Sequence, residues 1–499
     1  MTKRLLHLIY RLEKSKAFWF ILFIIPFFFL LRFPSIVEPV WYGDEGIYQV
    51  LGKAINHGEV LYRDVWDNKP PLLYVTYALF NSDQFSVRLA SLVVGLLAAI
   101  ALFFLSQKLF NKNLLASVIT TVLFSILFAT PFIEGNIANA ENFMLLPVIL
   151  AGLFINQLSN LKQHKLKPEL FAGLLLGIAF LFKIVALFDF AAFFIFLVIS
   201  TLPKKLSVSS LKQINFRTFG MILLGFFLPL VVTTLYFVSQ NALADFIRAT
   251  FFGNIGYVGW GNKLIIPQGL LILKLVLLAI VVLILFVKRQ TISKATIFIV
   301  LWVAFSLFST FFSGRPYTHY VLVSLPSICL LVGLLFTMRT PQQRTMLGGI
   351  ILLVFMLINT TFHFYPLRKT VSYYQNVLLF LTAKKDVTSY QSFFDRKTPR
   401  DYELASFIRK HTTPSDQIFI WGDSAQIYAL ADKLPPSKYT VAYHITQNKN
   451  GIEEMQQKLD EVKPKYIIIL EEAPKMPFHL AWYHNPFTFQ QAIIYERYH

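Results

Sequence analysis

The chain has 499 residues, of which 56% are apolar, 16% aromatic and only 15% charged. Soluble domains carry about 25% charged residues and disordered chains more, so both classes are excluded and the apolar excess must face lipid. One cysteine, Cys329, excludes a disulfide framework and any cysteine-based metal or redox site. The net charge of +19, from 46 Lys and Arg against 27 Asp and Glu, would suggest nucleic acid in a soluble protein; in a membrane protein it raises the question of sidedness.

A helix needs roughly 20 apolar residues to cross the hydrocarbon core. Eleven segments near that length follow in chain order: 17–33, 86–105, 114–131, 142–158, 169–183, 184–202, 217–239, 267–287, 295–312, 320–337 and 346–362. The fifth and sixth are short and nearly contiguous. Lys3, Arg4, Arg11, Lys14 and Lys16 precede the first, and Arg32, Phe33 and Pro34 follow it in place of a small-residue cleavage site. That predicts an uncleaved helix, kinked or tilted at Pro26, in preference to a signal peptide.

With the N-terminus in the cytoplasm, alternate connections fall on the cytoplasmic side, and these are the basic ones: Lys108 and Lys112; Lys162, Lys165 and Lys167; Lys204, Lys205, Lys212 and Arg217; Lys288, Arg289 and Lys294; Arg339 and Arg344. Only Glu13 and Glu169 oppose them. The basic excess is thus a signature of topology in the cell membrane and not a nucleic-acid footprint. Eleven spans place the first loop, 33–85, and everything after about residue 363 outside the cytoplasm. Residues 1–362 then form the transmembrane domain. Residues 363–397 form a tether with an interfacial helix around Tyr373 to Leu381. Residues 398–499 read as a small α/β domain: helix Asp401 to Lys410, strand Ile418 to Trp421, a helix, strand Thr440 to His444, helix Ile452 to Val462 and strand Tyr466 to Leu470.

The first external loop carries Trp41, Tyr42, Gly43, Asp44, Glu45, Tyr48, Gly58, Tyr62, Asp64, Trp66, Asp67, Asn68, Lys69, Pro70, Pro71 and Leu72, a mixture that a plain connector does not need. Asp44 and Glu45 open an amphipathic stretch, 44–56, expected to lie along the interface. A partly desolvated carboxylate there can take a proton from an acceptor hydroxyl; equally, Asp44 can cap the interfacial helix. Lys69, Pro70 and Pro71 make a rigid exit into the apolar stretch Leu72 to Phe80. Lys69 either pairs with a lipid phosphate or snorkels to headgroups.

Glu141 opens the fourth helix, where it complements the helix dipole or serves as a second acid facing Asp44 across a cavity. Lys183 interrupts the apolar run Ala179 to Phe188, and Arg88 lies near the outer end of the second helix. Each must snorkel or face protein, water or an anion. The loop Ser313 to Tyr320 gathers Arg315, Tyr317, His319 and Tyr320. Such a set suits an anionic headgroup, with Arg as a bidentate fork, or else an aromatic interfacial belt with an anchoring Arg. Gly256, Gly259 and Gly261 lack the flanking strand and helix of a dinucleotide fold and read as a flexible external loop. No Walker lysine loop, His-Glu-x-x-His motif or nucleophile-elbow serine is present, and the ten histidines form no ligand pair at helical spacing.

Taken in order and by side, these elements resemble the GT-C class of polyprenyl-phosphate-dependent glycosyltransferases, in particular the bacterial protein O-mannosyltransferase and aminoarabinose transferase group (glycosyltransferase family 39) and the rhizobial lipopolysaccharide sugar transferases. The resemblance rests on Asp44 and Glu45 after the first helix, the Gly58 and Tyr62 spacing, Lys69 to Leu72, Phe85 to Leu89 with Arg88, Glu141, Lys183, and Arg315 with His319 and Tyr320. It implies a polytopic helical GT-C fold and an extracytoplasmic active site between the first loop and the bundle. It further implies a polyprenyl-phosphate sugar as donor, a lipid, glycan or protein as acceptor, and Asp44 as the central residue. The matching residues then divide into an acid group, Asp44, Glu45 and Glu141, and a donor-phosphate and lipid group, Lys69, Arg88, Lys183, Arg315, His319 and Tyr320. No cofactor is certain; a divalent cation held by Asp44 and Glu141 would have only two oxygen ligands, which do not make a site. Two rival readings are a lipid-linked sugar transporter or oligosaccharide ligase, and a non-catalytic anchor displaying the C-terminal domain.

Overall fold

The computed structural model describes residues 15–158, 168–202, 216–264, 268–362, 364 and 366–498. The flanking charges Lys3, Arg4, Arg11, Glu13, Lys14, Lys162, Lys165, Lys167, Lys204, Lys205 and Lys212 lie outside the described residues.

Each of the eleven predicted apolar segments is a helix. Among the described residues seven are long and apolar enough to cross a membrane: Lys16–Ile36, Gln84–Leu109, Ala140–Leu158, Phe216–Ser239, Gly269–Val287, Thr318–Leu335 and Pro341–Thr361. The other four, Leu114–Ala129, Pro168–Phe182, Ala186–Thr201 and Lys294–Thr310, are shorter. Polar caps mark several starts: the side chains of Asn113, Ser293 and Thr340 accept the N–H groups of Ala116, Thr296 and Gln343. In the first helix Ile24, Phe28 and Arg32, four residues apart and so on one face, are buried, while Trp19, Leu22 and Phe23 are exposed. Among the residues of Gly269–Val287, only Leu285 is buried. A helix with so much apolar surface uncovered is unstable in water and at home in lipid, which makes this a multi-pass membrane protein.

The chain divides into two compact units, one of residues 1–33, 90–233 and 255–370, the other of residues 34–89, 234–254 and 371–499. The first holds most of the apolar helices.

The second unit is built on a four-stranded sheet in the order β1-β2-β4-β3, with β1 Ile418–Trp421, β2 Tyr466–Leu470, β3 Tyr483–Phe489 and β4 Ala492–Arg497. β1 and β2 are parallel, with Phe419 opposite Ile467; β4 is antiparallel to both of its neighbours. Ile418, Ile420, Ile468 and Ile494 enter one core with Leu404, Ile408 and Tyr428, while Phe419, Trp421 and Ile467 enter another with Met455 and Leu459. The sheet is thus covered on both faces, which is why β1 and β2 read as unbroken apolar runs.

Two sequence expectations change here. Thr440 to His444 is not a strand: Val441 is extended and a short helix, Ala442–Gln447, follows. The β3–β4 hairpin replaces it in the sheet, turning through Gln490 and Gln491, both at positive φ.

The first-loop helix Gly43–Asn56 also departs from the interfacial reading. It is buried from Glu45 through Gly52, its Val50 is part of the core that contains Ile418 and Ile468, and its apolar face is therefore spent on protein. Lys53 donates to the Ala429 carbonyl at 2.9 Å and pairs with Asp432 at 2.6 Å, and the Trp66 N–H donates to the Lys438 carbonyl at 2.9 Å. The first loop and the C-terminal sheet domain share one core.

Close approach at Gly46 tests this shared core. A Cβ there would lie 2.6 Å from the Gln426 nitrogen, whereas at Gly43 the nearest atom would be the Asp423 carbonyl oxygen at 3.9 Å. Gly46→Ala should lower stability by roughly 1–3 kcal/mol, the usual cost of overpacking, and Gly43→Ala should not. Thermal denaturation in detergent measures both, and equal stability of the two variants would contradict the shared core.

Candidate active site

Adjacent residues of one helix point apart, and this separates Asp44 from Glu45. Glu45 is buried against Arg88, which donates from Nε at 3.1 Å and again from Nη2. The Nη1 of Arg88 donates to the Ser35 carbonyl at 2.7 Å and to Glu38 Oε2 at 2.7 Å. Glu38 also accepts from Trp41 Nε1 at 2.8 Å and from the Tyr373 hydroxyl. Arg88 is wholly buried, and its three nitrogens all donate within this cluster. Of the residues grouped from the sequence, Glu45 and Arg88 therefore hold each other.

Asp44 lies in the first turn, and the N-cap is Tyr42, so capping is not its position. Its side chain is 35% exposed. Its Oδ2 accepts from the Tyr48 hydroxyl at 3.0 Å, one helical turn on. Burial first, and then the charges of Asp44 and Asp67, push the Tyr48 phenol well above its ordinary range, so it stays a donor.

Lys69 Nζ stands 3.6 Å from Asp44 Oδ2, 3.5 Å from Asp67 Oδ2, and 4.9 Å from the centre of the Tyr48 ring. Both carboxylate distances exceed ordinary hydrogen-bond length. Tyr62 fixes the backbone: its hydroxyl donates to the Lys69 carbonyl at 2.8 Å, and its own φ is +72°. A tyrosine in that region costs of order 1–3 kcal/mol, which its bond to Lys69 and its ring contacts with Phe237 and Phe246 help to offset. Asp67 is buried, accepting from the Tyr74 hydroxyl at 2.8 Å and from the Asn68 N–H at 2.7 Å. His444 Nε2, from the C-terminal domain, stands 3.9 Å from Asp67 Oδ1. Burial pushes the His444 imidazole down to about 4, the nearby Asp67 notwithstanding.

The other unit carries a second polar cluster. Lys183 lies between the helices Pro168–Phe182 and Ala186–Thr201, pairs with the buried Glu141, and stands 4.4 Å from the Tyr320 ring centre. His319 Nδ1 is 2.9 Å from Glu134 Oε2, and its ring is 4.8 Å from that of Tyr320. Arg315 is half-buried in the preceding loop, its N–H donating to Ser313 Oγ at 3.3 Å. That loop is pinned by a glycine pair: a Cβ on Gly314, whose φ is +66°, would lie 2.3 Å from the Gly261 carbonyl oxygen. Gly256 and Gly259 lie in the helix Gly253–Trp260, so the flexible-loop reading of this stretch gives way to a helix followed by a backbone contact that only glycine permits.

Asp44 with Lys69 and Glu141 with Lys183 thus belong to different units. Among the described residues no three His, Cys, Asp or Glu converge as a metal ion requires. Glu38 and His444 did not emerge from sequence reasoning, and Asp67 did so only as one polar residue of the loop.

Comparison with known proteins follows the same lines. Residues 69–231 match the profile of the family described as dolichyl-phosphate-mannose-protein mannosyltransferase, a span that contains Lys69, Arg88, Glu141 and Lys183. Residues 400–482 match the C-terminal domain of the competence-induced protein Ccs4. The crystal structure of ArnT from Cupriavidus metallidurans bound to undecaprenyl phosphate aligns with a TM-score of 0.56 at 13% identity, over 96% of this chain and 98% of that one. Its apo state aligns with a TM-score of 0.53 at the same identity and coverage. An oligosaccharyltransferase from Archaeoglobus fulgidus aligns at 0.42 and 13% identity, over 94% of this chain and 73% of that one. A search of curated protein sequences finds no match. The chain is a multi-pass membrane protein with the GT-C fold. Over residues 69–231 it is similar to the protein mannosyltransferase family, and over nearly its whole length it is similar in fold to ArnT.

The buried His444 predicts an acid sensitivity. Its folded value of about 4 lies below the ordinary 6.5, so across that interval the unfolded chain binds a proton that the folded chain does not. Stability should fall as pH drops through this window, by up to about 3 kcal/mol at full protonation of the unfolded state. Asp401, pushed up to about 6 by burial, acts with the opposite sign, so the comparison must be between variant and parent. His444→Gln should lose less stability than the parent between about pH 7 and 4.5 in thermal melts; an equal loss would contradict a neutral, buried imidazole.

Proposed function

We propose that this protein transfers a sugar from a polyprenyl-phosphate carrier to a hydroxyl-bearing lipid, glycan or protein on the extracytoplasmic face of the cell membrane, with the N-terminus in the cytoplasm and the C-terminal domain outside. One observation carries the reading. The first loop presents a solvent-reachable carboxylate, Asp44, beside an ammonium, Lys69, while the neighbouring Glu45 is sealed against Arg88. A base and a phosphate ligand side by side are what displacement of a sugar from a phosphate requires. The undecaprenyl phosphate bound to ArnT, which shares the fold, supports a lipid phosphate as the leaving group.

In the proposed step Asp44 takes the proton of the acceptor hydroxyl as its oxygen bonds to the anomeric carbon. The bond from that carbon to the phosphate oxygen breaks, its electron pair leaves with the polyprenyl phosphate, and the configuration inverts. Lys69 stabilises the charge that grows on the departing phosphate. Outside the cytoplasm there is no pool of nucleotide sugars, so a membrane-held phosphate supplies both activation and leaving group. Glu45 and Arg88 serve as positioning residues, since their charges are spent on each other and on Glu38. Lys183, Arg315, His319 and Tyr320 offer cationic, imidazole and phenol groups suited to an anionic lipid headgroup, with Glu141 holding Lys183 in place.

Asp44→Asn should leave the protein inserted and as stable as the parent while transfer falls about 10²- to 10⁴-fold, the usual contribution of a general base. The assay offers the purified protein a panel of polyprenyl-phosphate sugars and detects released polyprenyl phosphate and glycosylated product by mass spectrometry. Full activity in Asp44→Asn would overturn the assignment, and transport of the lipid-linked sugar without covalent transfer would replace it.

A further inference from the structure

His444 lies on the short helix Ala442–Gln447, almost 400 residues from the first loop, yet it reaches Asp67. It is 1% exposed, boxed in by the Trp66 ring at 5.0 Å and the Tyr443 ring at 4.6 Å. Neither ring nitrogen has a hydrogen-bond partner among the described residues, and a buried N–H left without one is costly. The nearest carboxylate oxygen is Asp67 Oδ1 at 3.9 Å, so Asp67 is the acceptor that stands next to this imidazole. Around Asp67 the other donors are already in place, Tyr74 on Oδ2 and the Asn68 N–H on Oδ1. From the same Oδ2, Asp67 attracts Lys69, which it shares with Asp44.

We propose that His444 is a positioning residue of the active site: it holds Asp67 and thereby sets how the Lys69 ammonium is shared between Asp67 and Asp44. The C-terminal domain then has a part in the chemistry. Its imidazole stays neutral, so it orients Asp67 by donating a hydrogen bond without cancelling the carboxylate charge that attracts Lys69. A protonated imidazole would compete with Lys69 for the same carboxylate. The charged groups facing His444 are Asp67, Lys69 and Asp44, all on the first loop.

The functional consequence rests on the reading of Lys69 as the ligand of the donor phosphate, so the test has one arm that needs no substrate. In the full-length protein in detergent, Lys69 is acetylated with an amine-reactive ester and its rate followed by mass spectrometry against that of the distant Lys458. His444→Phe, which keeps a ring against Trp66 but has no nitrogen, should change the Lys69 rate about threefold or more, and His444→Gln, which can still donate to Asp67, should restore it. An unchanged Lys69 rate in His444→Phe overturns the inference, as does an equal change at Lys458, the mark of general unfolding.

The second arm measures binding of undecaprenyl phosphate. His444→Phe should weaken it about fivefold in the parent but add nothing on a Lys69→Ala background, because a residue that acts through another is non-additive with it. Full additivity overturns the inference. If the parent protein neither binds the lipid phosphate nor transfers sugar while the Lys69 rate still responds to His444, it is the proposed function that fails and the positioning role that stands.

Discussion

One guanidinium bound to two carboxylates underlies the architecture of the first loop. Arg88 joins Ser35 and Glu38 before the helix Gly43–Asn56, Glu45 within it, and, through Glu38, Tyr373 of the helix Leu367–Leu381. Removing such charges from water is expensive and is repaid only when every donor and acceptor is met in good geometry. A cluster of this kind is therefore a device for fixing position. It turns Glu45 inward, and because successive side chains on a helix diverge, it leaves Asp44 facing Tyr48 and Lys69. Two adjacent acids of the same chemical type come to different tasks through their surroundings.

A second constraint comes from the far end of the chain. The C-terminal sheet places Val50 in its core, seats Gly46 against Gln426, and brings Lys53 to Asp432 and His444 to Asp67. The first loop is long and rich in polar side chains, and such a segment keeps one conformation only where its backbone and charges find partners. The sheet domain supplies several. This ties the placement of Asp44 to residues that follow it by almost 400 positions.

Much of this was readable in the sequence, and the rest was hidden for physical reasons. Apolar length marked all eleven helices, and the break between the fifth and sixth fell within a residue of Lys183, because lipid demands an uninterrupted apolar run and a lysine advertises its end. Asp44 and Lys69 stood out because a dense polar loop between two apolar helices is unusual. Glu38 and His444 had no such signal: one lies in irregular backbone, the other on a short helix that begins inside the stretch Thr440 to His444, which reads as a strand. The hairpin at Gln490 and Gln491 escaped notice because positive φ is ordinarily announced by Asn or Gly, and here glutamine occupies both places. The amphipathic stretch 44–56 was legible as a helix, but periodicity does not distinguish a face covered by lipid from one covered by protein.

The central claim is that the buried Arg88 cluster holds the helix that carries Asp44. Amide hydrogen exchange on full-length Arg88→Met tests it, since breaking a buried ion pair costs about 3–5 kcal/mol and should appear as local opening. The account predicts exchange at least about 10²-fold faster across residues 45–54, with the helix Lys294–Thr310 unchanged. Protection of residues 45–54 equal to that of the parent would contradict it.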